Sequence, residues 1–160
     1  MALADVSTVL WRERELLELL LFKLEEEQLV LASGRSRWLA HATREVEMVI
    51  AQLREAELER AVLVDALAVQ LGLAPSPSLA ALAEAAPSPW DDLLRAHRAA
   101  FLTLADEIGT MTATNRELLI SAQRASREVL AGLDVGTAKT YSPRGTEAEP
   151  ARARVVDRAL

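Results

Sequence analysis

The chain has 160 residues and a mass of 17.5 kDa, enough for one ordinary domain. Apolar residues make up 51% of it and aromatic residues only 4%. Leu and Ala supply most of the apolar set, which is typical of a helical bundle. The net charge of −6 argues against a nucleic-acid-binding protein, and the absence of cysteine excludes disulfides, thiol catalysis and cysteine-ligated metals.

No segment of the sequence suggests export or membrane insertion. The N-terminus, Met1 to Asp5, lacks the basic region and apolar stretch of a signal peptide. The densest apolar run, Leu16 to Leu24, contains Glu18 and Lys23 and is too short to span a bilayer. We therefore expect a cytoplasmic protein without a membrane-inserted segment.

Two long helices are predicted in the first half of the chain. The first runs from about Val6 to Ala32, with Asp5 or Ser7 as the alternative capping residues. The second runs from about Ser36 to Leu71, with Ser36 as its cap. Because only about three residues separate them, the two helices should form an antiparallel hairpin.

Both helices carry apolar residues at helical spacing. The first is apolar around much of its circumference near residues 16–24, which predicts neighbours on more than one side. In the second helix, Arg60 interrupts an otherwise regular stripe that consists of Leu39, Ala42, Val46, Val49, Leu53, Ala56, Leu63 and Leu67. This pattern predicts one buried seam and a solvated back.

A short connecting helix should follow the hairpin. Gly72 and the segment 75–78, which alternates Pro and Ser, end the second helix. Ser78 is then placed to cap a helix from Leu79 to Ala86, and Pro87 stops it.

A long third helix is predicted from Pro89 to Ala131, with Ser88 as its cap and two aspartates in its first turn. One stripe recurs at alternating steps of four and three residues: Trp90, Leu94, His97, Phe101, Leu104, Ile108, Met111, Asn115, Leu118, Ala122, Ala125 and Val129. Such a stripe is typical of a coiled-coil-like seam. The sequence thus predicts an all-α fold, an elongated antiparallel hairpin plus a long helix. Residues 1–133 form its helical domain, and residues 134–160 form a mobile tail because the pattern is lost after Gly132.

Nothing in the sequence resembles a catalytic or metal-binding site. His41 and His97 are not part of a ligand pair, and His97 lies in the seam, where a hydrogen-bonded core histidine is the expected role. His41 and Glu45 are expected to form a surface ion pair, and Glu25–Glu27 a solvated face. We therefore expect a protein that is not an enzyme and uses no cofactor or metal.

Two segments suggest binding. The stretch 109–115 contains one Gly and three Thr, which weaken a helix, and Asn115 places an amide in the apolar stripe. This stretch is either a tolerated weak spot or an adaptable face that rearranges when a peptide docks. In the tail, Tyr141 is the only tyrosine, and it either anchors a partner or folds back onto the bundle.

The order of these elements resembles the FlgN family of flagellar export chaperones, particularly its actinobacterial-like members. The resemblance covers about Val6 to Gly145. It is carried by four short motifs: Leu10-Trp11-Arg12-Glu13-Arg14-Glu15-Leu16-Leu17, Ser36-Arg37-Trp38-Leu39, Asn115-Arg116-Glu117-Leu118-Leu119 and Tyr141-Ser142-Pro143-Arg144-Gly145.

The resemblance implies a cytoplasmic binding protein that holds the C-terminal helical segments of hook-associated proteins, the hook–filament junction proteins. It would prevent their premature assembly and deliver them to the flagellar type III export gate. The implied substrate contacts are Met111, Asn115, Leu118, Leu119 and Ala122. The implied gate-docking residues are Tyr141, Pro143 and Gly145.

A self-associating coiled-coil scaffold without an export role is the alternative. In that interpretation the exposed stripe pairs with its copy in a homodimer, and Asn115 specifies the register.

Overall fold

The computed structural model describes the backbone of residues 2–138 and the side chains of residues 2–134. In this part of the chain there are helices and no strand, so the all-α prediction is confirmed. The elements are α1 (Ala2–Ala32), a 3₁₀ turn (Ser36–Trp38), α2 (Leu39–Leu71), α3 (Leu79–Ala85) and α4 (Trp90–Ala138). The chain divides into two compact units, residues 1–118 and 119–160, and α4 contributes to both.

In the first unit, α1 and α2 form the predicted antiparallel hairpin. Arg12 Nη1 lies 3.0 Å from Glu59 Oε2, and Lys23 Nζ lies 2.8 Å from Glu45 Oε2. Because the partner's number falls as the number in α1 rises, the two helices run in opposite directions.

The hydrophobic core of this unit has two clusters. One, with Leu10, Leu67, Leu82 and Leu94 among its members, brings α3 and the start of α4 onto the hairpin. The other consists of Leu20, Leu24, Val46, Val49 and Leu53, with Ile108 and Met111 packed against it. Leu94 of α4 lies in one cluster with Leu10 of α1, and Met111, further along α4, packs against the cluster that contains Leu24 of α1. The two helices therefore run in the same direction.

The starts of α1 and α2 differ from the prediction. α1 begins at Ala2, so Asp5 and Ser7 lie inside the helix and neither caps it. The reason is that Ala2 and Leu3 are good helix formers that also pack against the core. Ser36 does not cap α2 either, because it opens the 3₁₀ turn, and no side-chain bond caps α2.

The predicted cap of α3 is confirmed, since Ser78 Oγ accepts a hydrogen bond of 3.1 Å from the Ala81 amide. α4 begins at Trp90, one residue later than predicted, with Asp91 and Asp92 in its first turn. Its end is different as well. The helix continues through Gly132 to Ala138, because one glycine costs a helix only about 1 kcal/mol and supplies no stop by itself.

None of the helices in the described part of the chain is long and apolar enough to cross a membrane.

Candidate partner-binding surface

Asn115 is buried between α4 and α1, with 6% of its surface exposed. Its Nδ2 donates a hydrogen bond of 2.8 Å to the Leu24 carbonyl and one of 3.4 Å to Glu27 Oε2. Glu27 Oε1 in turn accepts from Thr43 Oγ1 at 3.0 Å. The Asn115 side chain therefore belongs to a polar network that joins α4, α1 and α2.

The network places Asn115 inside one chain. The scaffold alternative put this residue in a seam with a second copy, but here its donor is directed to the chain's own first helix. Its Oδ1 is buried without a hydrogen-bond partner. Since a buried unsatisfied oxygen is costly, this end of the amide is the weak point of the network.

Two other candidate contact residues lie near Asn115 in the first unit. Met111 is half-buried and packs against the cluster around Leu24. Leu118 is half-buried as well. Only the part of the Met111 side chain that α1 and α2 leave uncovered is accessible to a partner.

Leu119 and Ala122 are the candidates in the second unit, and both are exposed. Every described side chain from residue 119 to residue 134 is exposed. Within that stretch, at 100° per residue, five apolar side chains lie within an arc of about 100° on one face of the helix: Leu119, Ala122, Val129, Leu130 and Leu133. We call this face the α4 apolar stripe. Arg124 and Glu128 lie on the other side of the helix.

The predicted gate-docking residues Tyr141, Pro143 and Gly145 lie outside the described residues. Their role stays a prediction.

His97 is a core residue, as predicted, with 1% of its surface exposed. It differs from the expected hydrogen-bonded histidine, because neither ring nitrogen has a partner. Its ring meets the Trp11 ring edge-on, with centroids 4.8 Å apart, and stacks near Phe101 at 6.2 Å. Burial, together with the nearby Arg14 guanidinium, lowers the pKa of His97 from its ordinary value of 6.5, so the neutral ring is favoured.

A buried ion pair joins α1 and α2 between the two core clusters. Arg60 Nη1 lies 3.0 Å from Glu13 Oε2, and Glu13 is only 3% exposed. Burial raises the pKa of Glu13 from its ordinary value of 4.5, and the opposing charge of Arg60 limits that rise. Arg60 was evident from the sequence as a break in the α2 stripe, whereas Glu13 was not predicted. The available signal was the spacing of Val6, Leu10, Glu13, Leu17, Leu20 and Leu24.

The charged residues that were predicted to lie at the surface differ in their burial. His41 Nε2 lies 3.5 Å from Glu45 Oε1, as the spacing predicted. Of the three glutamates 25–27, Glu25 is exposed, Glu26 bonds Lys23, and Glu27 belongs to the Asn115 network. Among the described residues, no group of three or more histidines and carboxylates is placed to hold a metal ion.

Comparison with known proteins identifies the family of this chain. The family described as FlgN protein matches residues 1–149, nearly the whole chain. The chain belongs to the FlgN family. FlgN proteins are flagellar export chaperones rather than enzymes, and they bind flagellar hook-associated proteins. No curated protein and no solved structure matches this FlgN-family chain significantly.

Proposed function

We propose that this chain binds the C-terminal helical segments of hook-associated proteins in the cytoplasm, keeps them from assembling early and delivers them to the flagellar export gate. Membership of the FlgN family supports the general role. The observation that carries the proposal for this chain is the α4 apolar stripe, a group of exposed apolar side chains on one face of a helix.

The chemistry of the stripe fits a helical partner. An amphipathic helix lays its own apolar face against such a row, with anchors at intervals of three and four residues. Leu119 and Ala122 belong to the row, and Val129 and Leu130 are each 64% exposed. Binding would remove these side chains from water without any chemical step. The costs of association and of ordering the partner keep such an affinity reversible, which a delivery factor requires.

We propose three further contacts that are less exposed: Met111, Asn115 and Leu118. The Asn115 amide is occupied by Leu24 and Glu27, and Met111 packs in the bundle. Asn115 contacts a partner only after α4 shifts on α1, whereas the uncovered parts of Met111 and Leu118 need no such movement. Delivery through Tyr141, Pro143 and Gly145 is the part of the proposal that comes from the family resemblance alone.

The neighbours Leu119 and Ile120 provide a matched test. Leu119 is 38% exposed and lies on the stripe, whereas Ile120 is 48% exposed and lies about 100° away around the helix. We expect Leu119→Asp to weaken binding of a synthetic junction-protein C-terminal helix by tenfold or more, on the order of 1.4 kcal/mol, and Ile120→Asp to change it little. Isothermal titration calorimetry measures both affinities.

Circular dichroism melts serve as the folding control, since both variants should keep the wild-type transition. Equal weakening by Leu119→Asp and Ile120→Asp would contradict a binding face on this side of α4. Absence of binding by the wild-type chain to every junction-protein helix would contradict the proposed partner.

A further inference from the structure

The outer face of α1 carries exposed apolar residues that the proposed function does not use. Trp11, Phe22 and Leu29 are 46%, 54% and 65% exposed. Because they are separated by about three turns and about two turns, these side chains lie within about 20° of one another around the helix. We call them the α1 outer row. On the opposite side of α1, Leu20 and Leu24 pack in the core.

Glutamates lie along both edges of the α1 outer row. At 100° per residue, Glu18 and Glu25 lie within about 50° of the row on one edge, and Glu15 and Glu26 lie equally close on the other. Between residues 11 and 29, no lysine or arginine lies within this arc. The outer face of α1 is therefore apolar along its centre and negatively charged along both edges.

Two of the four carboxylates are available to a partner. Glu15 and Glu25 are exposed, and neither forms an ion pair among the described residues. The other two glutamates are paired with the neighbouring side chains of Arg14 and Lys23, at N–O distances of 3.5 Å and 3.0 Å. The face thus keeps uncompensated negative charge on each edge.

The two aromatic rings of the row already have cations over them. The Arg14 guanidinium lies 5.1 Å from the centroid of the Trp11 ring, and Lys23 Nζ lies 5.5 Å from that of the Phe22 ring. The face of an aromatic ring carries the negative part of its quadrupole and attracts a cation. Positive charge is therefore favoured over the apolar centre of the face as well as along its edges.

This charge pattern distinguishes between the surfaces that could cover the row. The glutamates repel an anionic membrane surface and a nucleic acid. A second copy of the chain is also unfavourable. A parallel pair of rows sets Glu15 against Glu15, and the antiparallel pair that sets Trp11 against Leu29 sets Glu15 against Glu25. A helix with an apolar seam and basic residues on both edges complements the face in shape and in charge.

We infer that the α1 outer row binds a cationic amphipathic helix of a second partner protein, different from the junction-protein helix proposed for the α4 apolar stripe. Trp11, Phe22 and Leu29 contact the apolar seam of that helix, and the flanking glutamates pair with lysine or arginine on its edges. The row extends over about 27 Å of α1, so the partner helix has about five turns or more. The inference does not depend on the proposed function.

Isothermal titration calorimetry of the full chain with two synthetic helical peptides of about six turns tests this inference. One peptide has leucine along one face and arginine on both edges of that face, and its twin has glutamate in place of every arginine. We expect the arginine peptide to bind at micromolar concentration and the glutamate twin not to bind. Added NaCl should weaken the binding, because salt screens exposed charges.

An apolar substitution locates the contact on the row. We expect Phe22→Ala to weaken binding of the arginine peptide by about tenfold, since it removes the central anchor. Met48→Ala is the matched control, because Met48 is 58% exposed on α2 and lies outside the row. It should leave the affinity unchanged.

A charge substitution separates the local effect from that of net charge. Glu15→Lys/Glu25→Lys should weaken binding of the arginine peptide by about tenfold or more. Glu47→Lys/Glu55→Lys makes the same change in net charge at exposed positions of α2 and should have a much smaller effect. All of these variants change exposed residues, so their circular dichroism melts should keep the wild-type transition.

Four results would overturn the inference. They are absence of binding of the arginine peptide at millimolar concentration, equal binding of its glutamate twin, equal weakening by the α2 control variants, and loss of junction-protein helix binding in Phe22→Ala. The last result would assign the row to the export substrate. Leu119→Asp should leave the affinity for the arginine peptide unchanged, so the two proposals succeed or fail separately.

Discussion

Single polar residues inside the bundle determine how its helices sit on one another. Asn115 and His97 both lie in the apolar stripe of α4, yet they act differently. Asn115 donates to the Leu24 carbonyl and to Glu27, so it favours one position of α4 along α1. His97 has no hydrogen-bond partner and contributes mainly ring packing against Trp11 and Phe101.

Replacing Asn115 with aspartate should destabilise the bundle at pH 7. The change removes the donor to Leu24 and sets a buried carboxylate beside Glu27, for an expected loss of about 2–4 kcal/mol in the free energy of unfolding. Urea denaturation measures it. The Glu27→Gln change should recover part of the loss in the double variant, and Thr112→Asp at an exposed position of the same helix should cost far less. A loss of equal size in Thr112→Asp would show that helix propensity alone is responsible.

His97 should make the bundle less stable in mild acid. Its pKa is lower in the folded chain than its ordinary value of 6.5. The unfolded chain therefore binds more protons between those two values, and the free energy of unfolding falls as the pH drops below about 6.5. Above that pH, His97 is neutral in both the folded and the unfolded chain, so its titration no longer changes the free energy of unfolding. His97→Leu should remove this dependence in urea melts at pH 5 and pH 7.5.

Glu13 acts in the opposite direction, because its pKa is raised and its contribution is lost as the pH increases through that pKa. The Glu13→Gln variant separates the two groups. If His97→Leu keeps the full acid dependence of the wild type, another residue is responsible.

An ion pair connects α1 and α2 at a position where both helices would otherwise carry apolar core residues. Glu13 occupies a core position of α1, and Arg60 occupies the interrupted position of the α2 stripe. The pair lies between the two hydrophobic clusters. A charged layer of this kind contributes little net stability, but it penalises a hairpin that slips by one turn.

A double-mutant cycle should show this asymmetry. Arg60→Met alone leaves Glu13 buried without its cation and should cost about 2–3 kcal/mol, less than for a fully buried pair because the Arg60 side chain is 37% exposed. The double variant Glu13→Leu/Arg60→Met should recover most of that loss or exceed the wild type. Thermal and urea unfolding measure the cycle. Strictly additive losses would mean that the two side chains do not interact.

At the scale of the whole molecule, binding and delivery are expected to use different parts of the chain. The α4 apolar stripe consists of exposed residues between 119 and 133, whereas the proposed gate-docking residues begin at Tyr141. All side chains of the stripe are exposed. A chaperone organised in this way can hold its substrate while a separate segment contacts the export apparatus.

Tyr141→Ala should therefore spare substrate binding and impair export. We expect an unchanged affinity for the junction-protein helix in calorimetry, together with reduced swimming and reduced secretion of hook-associated proteins in a complemented deletion strain. Leu119→Asp should lose both functions. Wild-type motility of the Tyr141→Ala strain would rule out the docking role.

The amino-acid sequence determined the all-α class, the order of the helices, the antiparallel hairpin and the apolar face of α4. These features depend on residues close together in the chain, such as the spacing of apolar side chains, the Ser78 cap and the short connection before α2. The family resemblance also came from such local motifs, and the match over residues 1–149 confirmed it.

Only the tertiary structure decided which polar residues meet. Glu13 and Arg60 lie 47 positions apart, and Asn115 and Leu24 lie 91 apart, so their pairing depends on which helices are neighbours and on their relative offset. The arrangement of neighbouring helices also decides which of the five candidate contact residues are exposed. Met111 and Asn115 pack within the bundle, whereas Leu119 and Ala122 are exposed, although all lie on one predicted helix. A stripe of apolar residues marks the face of a helix, but the neighbouring helices decide how much of that face they cover.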